Sequence, residues 1–235
     1  MPTVPHWGWN GNARRYWDNK YGGKIRRIER QIHHYGSGLN ALVALAAFRS
    51  NPSDTYLLRI GYGGMNGPLS NINADGFASA SFHSWPQTLA WDPYSGDFGS
   101  GFLGLVLASA TYVVQDAQVG ITAYGGAITQ ENDTVSVQPK DAARRKIFVG
   151  PLGVLISVDA CEIATLDYNL KDNGISMSLI QREGMPQASS TILWIEREAG
   201  PVNYTISMPK DVKRSRGGWN VPLTSSSTVV LINHA

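Results

Sequence analysis

Leu152-Gly153-Val154-Leu155-Ile156-Ser157-Val158-Asp159-Ala160-Cys161-Glu162-Ile163-Ala164-Thr165-Leu166-Asp167-Tyr168-Asn169 reads as two β-rich runs, Leu152–Val158 and Ala160–Asn169, with a break between them. The same reading extends in both directions. Upstream lie Ala110–Val114, Gly120–Tyr124, Thr134–Val137 and Arg145–Val149. Downstream lie Ile175–Gln181, Thr191–Arg197, Asn203–Met208 and Thr228–Ile232. Runs of this composition, recurring about every ten residues between turn residues, predict an antiparallel β-sandwich. The sandwich region is expected to span residues 105–235.

The first 104 residues carry different signals. Asn10 or Asn12 can cap a helix through Tyr16 and Trp17, broken at Gly22-Gly23. Ile25, Ile28 and Ile32 recur at helical spacing, with Gly36 and Gly38 as stop signals. Leu39–Phe48 is rich in Ala and Leu and is expected to be buried nearly all round. After the turn Asn51-Pro52-Ser53-Asp54, Ser53 or Asp54 caps a further helix through Ile60. From 61 to 104, glycines punctuate a long irregular region. Such loops inside compact domains are usually functional or disordered, and the aromatic content argues against disorder. The predicted fold class is therefore α+β, with a short N-terminal α-hairpin segment (1–104) followed by an antiparallel β-sandwich (105–235).

Tryptophans crowd the first part. Trp7, Trp9, Trp17, Trp85 and Trp91 all precede residue 92, among Gly, Asn, Asp and His. Flat aromatic faces beside carboxylates and amides suit a sugar ring, which has apolar C–H faces and a polar rim. Trp7, Trp9, Trp85 and Trp91 are the candidate sugar platforms. Glycosidases need two carboxyl groups, about 5–5.5 Å apart for retention and about 6.5–9.5 Å apart for inversion. Asp92 and Asp97 flank a turn, and Asp75 is the other acid of the glycine-rich region. The bland alternative is turn chemistry, since Asp before Pro and beside Gly is common there. His83 is the candidate proton shuttle, and His33 can hold a sugar hydroxyl. Arg30 can bind a uronate carboxylate bidentately, although a helix-surface ion pair explains it equally well.

Other classes find little support. The net charge of +2 gives no reason to expect nucleic acid, and the short cationic stretches, Arg144-Arg145-Lys146 among them, read as solvated surface. No apolar segment reaches bilayer length. Met1-Pro2-Thr3-Val4-Pro5 lacks the basic start and apolar core of a signal peptide. The lone Cys161 excludes an internal disulfide and reads as a buried, inert thiol. No histidine, cysteine or acid spacing matches a metal site, and Tyr62-Gly63-Gly64-Met65-Asn66-Gly67 lacks the ending of a phosphate loop. No cofactor and no metal are expected.

Three stretches, His6–Asp18, Arg27–Asn40 and Trp91–Asp97, carry a resemblance to a known family. The family consists of large, uncharacterised secreted proteins from fungi and bacteria, glycosidase-like in architecture. The chain resembles their C-terminal portion. The resemblance implies the end of a six-hairpin α/α toroid followed by a β-sandwich, an extracellular setting, and the missing N-terminal part of a longer protein as a partner. It supplies no catalytic residues. The functional expectation is the C-terminal part of a glycoside hydrolase-like enzyme acting on a polysaccharide. The alternatives are a non-catalytic carbohydrate-binding or structural module, and a truncated inactive fragment.

Overall fold

The computed structural model describes residues 32–65, 83–84, 104, 106–184, 186–198, 200, 203–209 and 211–234, with the side chains of 32–40, 83–84 and 234 outside that description. Two compact units emerge: one from residues 1–48 and 54–108, the other from 49–53 and 109–235.

In the first unit, β1 (Ile32–His33) pairs antiparallel with β2 (His83–Ser84). Helix α1 (His34–Ser50) follows β1 directly. It begins five residues before Leu39 and runs through Gly36 and Gly38, which therefore do not act as stops. Nor is its apolar stretch buried all round. Ala41, Ala44, Leu45 and Phe48 form one buried stripe at helical spacing, while Val43 is 71% exposed. The exposed face is apolar too, so composition alone hid the one-sidedness.

Helix α2 (Thr55–Met65) starts at an Asp54 cap, whose Oδ1 accepts the Leu57 amide at 3.3 Å. It passes Ile60 and continues through three glycines. Gly61 explains the extension: a Cβ there would lie 2.6 Å from Leu45 Cγ. Its missing side chain lets α2 lie close against α1, so the two helices form a tight hairpin.

The second unit holds thirteen strands among the described residues, in two sheets. The six-stranded sheet comprises β5 (Gly126–Glu131), β6 (Thr134–Pro139), β9 (Glu162–Asn169), β10 (Ile175–Ile180), β12 (Tyr204–Met208) and β15 (Ser227–His234), in the order β12-β15-β10-β9-β6-β5. The seven-stranded sheet comprises β3 (Thr111–Asp116), β4 (Gly120–Tyr124), β7 (Lys146–Val149), β8 (Val154–Val158), β11 (Ser190–Glu196), β13 (Lys213–Ser215) and β14 (Gly218–Pro222), in the order β13-β14-β11-β8-β7-β3-β4. Every pairing is antiparallel except β3 with β7, which is parallel from Thr111↔Ile147 to Val113↔Val149.

Alternation explains the sandwich. In β10, Ile175, Met177 and Leu179 are buried and the residues between them are not. In β8, Val154 and Ile156 turn inward with Leu155 between them. Inward residues of both sheets, among them Val137, Leu166, Met177 and Ile232 from one and Val113, Ile147, Ile156 and Leu193 from the other, form one core cluster.

The sequence reading left out three strands. β5 has a polar second half at a sheet edge. β13 and β14 carry three charged or polar residues on one side and Gly218 and Pro222 on the other, which masks their strand character. Their hairpin is closed by Arg216 and Gly217, both at positive φ (50° and 77°), the backbone of a two-residue turn matched to strand twist. Arg214 stacks over the Trp219 ring at 3.8 Å, which covers the indole of the same hairpin.

Gly125-Gly126 marks a passage of the chain from one sheet to the other, between β4 and β5. Gly125 has φ +84°. A Cβ on Gly126 would lie 2.6 Å from the Gln138 carbonyl oxygen and 2.8 Å from Thr111 Cγ2. The first neighbour is backbone and cannot yield. Gly126→Ala should therefore lower stability by about 1–3 kcal/mol in chemical denaturation; an unchanged midpoint would show that the corner is looser than described.

Tyr168 points its hydroxyl into the core, where it is buried without a hydrogen-bond partner among the described residues. Removing an unsatisfied polar atom relieves its desolvation cost. Tyr168→Phe is expected to leave stability unchanged or raise it by up to about 1 kcal/mol. A clear loss in the same denaturation experiment would mean that the hydroxyl is partnered.

Candidate functional site

The structure brings two of the predicted site residues together. In the β1–β2 pair, His33 is the Cα partner of His83, and Ile32 is the partner of Ser84. These residues are fifty positions apart in the chain. The pairing joins the end of the Arg27–Ile32 stretch to the Phe82-His83-Ser84-Trp85 stretch. Trp7, Trp9, Arg30, Asp75, Trp85, Trp91, Asp92 and Asp97 lie outside the described residues.

A second feature, absent from the sequence reading, sits on the sandwich. Among the connections that cross between the sheets at one end of it are β6 to β7 (140–145), β8 to β9 (159–161), β10 to β11 (181–189) and β14 to β15 (223–226). Between the first three lies an open cleft of about 400 Å3. Its walls are mainly small and apolar: Ala142, Ala160, Ile180, Pro186 and Ala188. Arg145, Glu162 and Arg182 bring charge to it, and Cys161 also lines it.

The connections are latched to each other. Asp159 Oδ1 accepts the Thr191 hydroxyl at 2.9 Å and the Ile192 amide at 2.8 Å. The Ala160 amide donates to Thr191 Oγ1 at 3.2 Å. Gln181 spans two loops, its Oε1 accepting the Ala188 amide at 2.7 Å and its Nε2 donating to the Thr224 carbonyl at 3.2 Å. Gln187 Nε2 donates to the Arg182 carbonyl at 2.8 Å. The cleft is thus held by hydrogen bonds between loops rather than by strand ladders.

Its two guanidinium groups differ. Arg182 places Nε 2.7 Å and Nη2 3.1 Å from the two carboxylate oxygens of Glu162, a bidentate pair that raises the Arg182 pKa. Arg145 donates Nη1 to the Asp159 carbonyl at 2.8 Å.

The cationic run 144–146, read as solvated surface, divides three ways. Arg144 is 8% exposed and paired with Asp141, which corrects that reading. Arg145 is exposed. Lys146 is half-buried, and burial, followed by the Arg49 charge, lowers its pKa. The connection between β6 and β7 folds Arg144 back onto Asp141, three residues earlier, and no property of the run itself announces this.

A family of unknown function, DUF5695, matches residues 1–231. The chain belongs to that family. No curated protein and no solved structure matches it. The match to DUF5695 takes in both compact units, so the helical segment and the sandwich belong to one family sequence. Within this DUF5695 chain, no three His, Cys, Asp or Glu side chains gather into a metal-holding group among the described residues. No described helix is long and apolar enough to cross a membrane.

Cys161 is buried, as its apolar surroundings suggested. Burial, reinforced by the Asp159 charge and opposed by Thr191 and Arg145, pushes its thiol up to about 11. Burial likewise pushes Tyr168 up to about 12 and raises Tyr204. These groups keep their protons in the folded chain to higher pH than in the unfolded one. Stability from this source is complete below about pH 9 and is lost as pH rises from there toward 12, because the unfolded chain deprotonates first. The denaturation midpoint should fall between pH 9 and pH 12, and Cys161→Ala should flatten the lower part of that fall. A midpoint constant through this window would contradict the assignment.

Proposed function

We propose that the chain is the C-terminal part of an extracellular, glycoside hydrolase-like protein that acts on a polysaccharide. The proposal extends to the architecture: the α1–α2 hairpin ends an α/α toroid, and the sandwich follows it in the chain. The observation that carries the reading is the His33↔His83 register. It joins the stretch that contains Arg30 and His33 to the stretch that contains His83 and Trp85, two of the segments where aromatic, cationic and imidazole groups concentrate. In this reading Trp7, Trp9, Trp85 and Trp91 offer faces to sugar rings, and Asp92 and Asp97, with Asp75, supply the carboxyl groups. His83 moves a proton, and Arg30 and His33 hold substrate hydroxyls or a carboxylate.

A second reading, a non-catalytic carbohydrate-binding module, is favoured by one observation on the sandwich. The cleft there has a single acid in its described lining, Glu162, and both oxygens of that acid are engaged by Arg182. Two available carboxyl groups are the requirement for glycoside hydrolysis. The sandwich cleft by itself therefore supports binding rather than turnover.

A glycan array with the whole chain, followed by product analysis on each bound polysaccharide, separates the two. Trp85→Ala and Trp91→Ala should each weaken glycan binding on the order of fivefold, the scale of one stacking contact. Asp92→Asn and Asp97→Asn should abolish product release while binding persists. Binding without release by the unaltered chain selects the module. Absence of any bound glycan overturns both.

A further inference from the structure

We infer that the sandwich-end cleft is a binding site for a carboxylate carried on a compact body with an apolar face, and that Arg145 is its anchor. A guanidinium recognises a carboxylate best through the parallel Nε–H and Nη2–H pair. Arg182 shows that geometry inside the same cleft, with its Nε and Nη2 on the two oxygens of Glu162 at 2.7 and 3.1 Å. Arg145 is held by the opposite nitrogen: Nη1 donates to the Asp159 carbonyl at 2.8 Å. That bond orients the side chain and leaves its Nε–Nη2 edge with no hydrogen-bond partner among the described residues. One arginine of the cleft thus has its fork filled by an internal carboxylate, and the other presents the same fork unfilled.

Of the remaining charges, Asp159 disfavours an anion at Cys161 and Arg145 favours one there. Glu162 is neutralised by Arg182. The Asp159 carboxylate oxygen Oδ1 is taken up by the Thr191 hydroxyl and the Ile192 amide. Ala142, Ala160, Ile180, Pro186 and Ala188 give an apolar wall, within a volume of about 400 Å3. Such a volume is at the lower end of ligand pockets. Small side chains let a ring lie flat without an aromatic platform. A uronic acid residue and a branched aliphatic acid share the required chemistry, a carboxylate beside C–H surface.

The experiment is calorimetric titration of the whole chain with three probes: digalacturonate, its neutral galactose counterpart, and 4-methylpentanoate. A carboxylate probe should bind and the neutral disaccharide should bind at least about tenfold more weakly, the scale of a lost charge-assisted hydrogen bond. Preference for digalacturonate names an acidic saccharide as the source; preference for 4-methylpentanoate names a simple acid. Arg145→Lys keeps the charge and removes the fork, and should weaken carboxylate binding by about tenfold or more. Equal binding of neutral and acidic disaccharide, no binding of either acid, or an unaltered affinity in Arg145→Lys would each overturn the inference. Should that variant fail to fold, the thermal midpoint of the unaltered chain with saturating carboxylate probe serves instead: a bound carboxylate raises it, and an unchanged midpoint rejects the site. The inference stands apart from the saccharide reading, because binding of 4-methylpentanoate alone upholds it while the glycan array fails.

Discussion

Each sheet of the larger unit is apolar on one face, and neither face can be left to water. Burying both against each other is the constraint from which the rest follows. The chain meets it by dealing its strands out alternately. β3 and β4 go to one sheet, β5 and β6 to the other, β7 and β8 back to the first, β9 and β10 to the second, and the remaining strands continue the exchange. No sheet can be completed before the other has received most of its strands. The core of Val137, Leu166, Met177 and Ile232 against Val113, Ile147, Ile156 and Leu193 is consequently non-local throughout.

Alternate dealing also decides where loops accumulate. Each change of sheet needs a connection that crosses the edge of the sandwich. Those after β6, β8, β10 and β14 all leave from the same end, because β6, β9, β10, β11, β14 and β15 are paired antiparallel to their neighbours there. Crossings so numerous at one end cannot all pack flat. They are held apart and tied by Asp159, Thr191 and Gln181, and the space between them is the cleft. A pocket of this origin owes little to any one strand. It arises from the topology, and its chemistry comes from whichever side chains the crossings carry, here Arg145, Glu162 and Arg182.

How much of this the sequence disclosed follows from the range of the interactions involved. Ten strands were legible, because β-branched and apolar residues between turn residues are a local signal. β5, β13 and β14 were not: Thr129-Gln130-Glu131 and Lys213-Arg214-Ser215 take their strand form from neighbours, not from composition. The start of α2 was legible at Asp54, since a cap acts within three residues. Its extension past Ile60 was not, because Gly61 belongs in the helix only when Leu45 lies against it. The cleft was the least legible feature. Arg144, Arg145 and Lys146 look alike as a run, yet one is buried on Asp141, one faces the cleft and one is half-buried in β7. The pairing of His33 with His83 was equally invisible, being a register fifty residues long, although both histidines stood out by their neighbours.

The use of acids across the chain bears on where chemistry can reside. In the sandwich, several carboxylates serve structure. Asp116 accepts the Gln118 and Val119 amides of its turn. Asp141 pairs with Arg144, Asp159 latches β11, Glu162 holds Arg182, and Asp172 accepts the Gly174 amide. A carboxylate with such partners is held in place by them, which suits a turn or a latch. At the sandwich-end cleft itself, the one acid of the described lining is already engaged in this way. Under the function proposed above, the sandwich serves as scaffold with a cleft at one end, and the carboxyl groups assigned to bond-breaking are those of the indole-rich stretches that precede it, Asp75, Asp92 and Asp97.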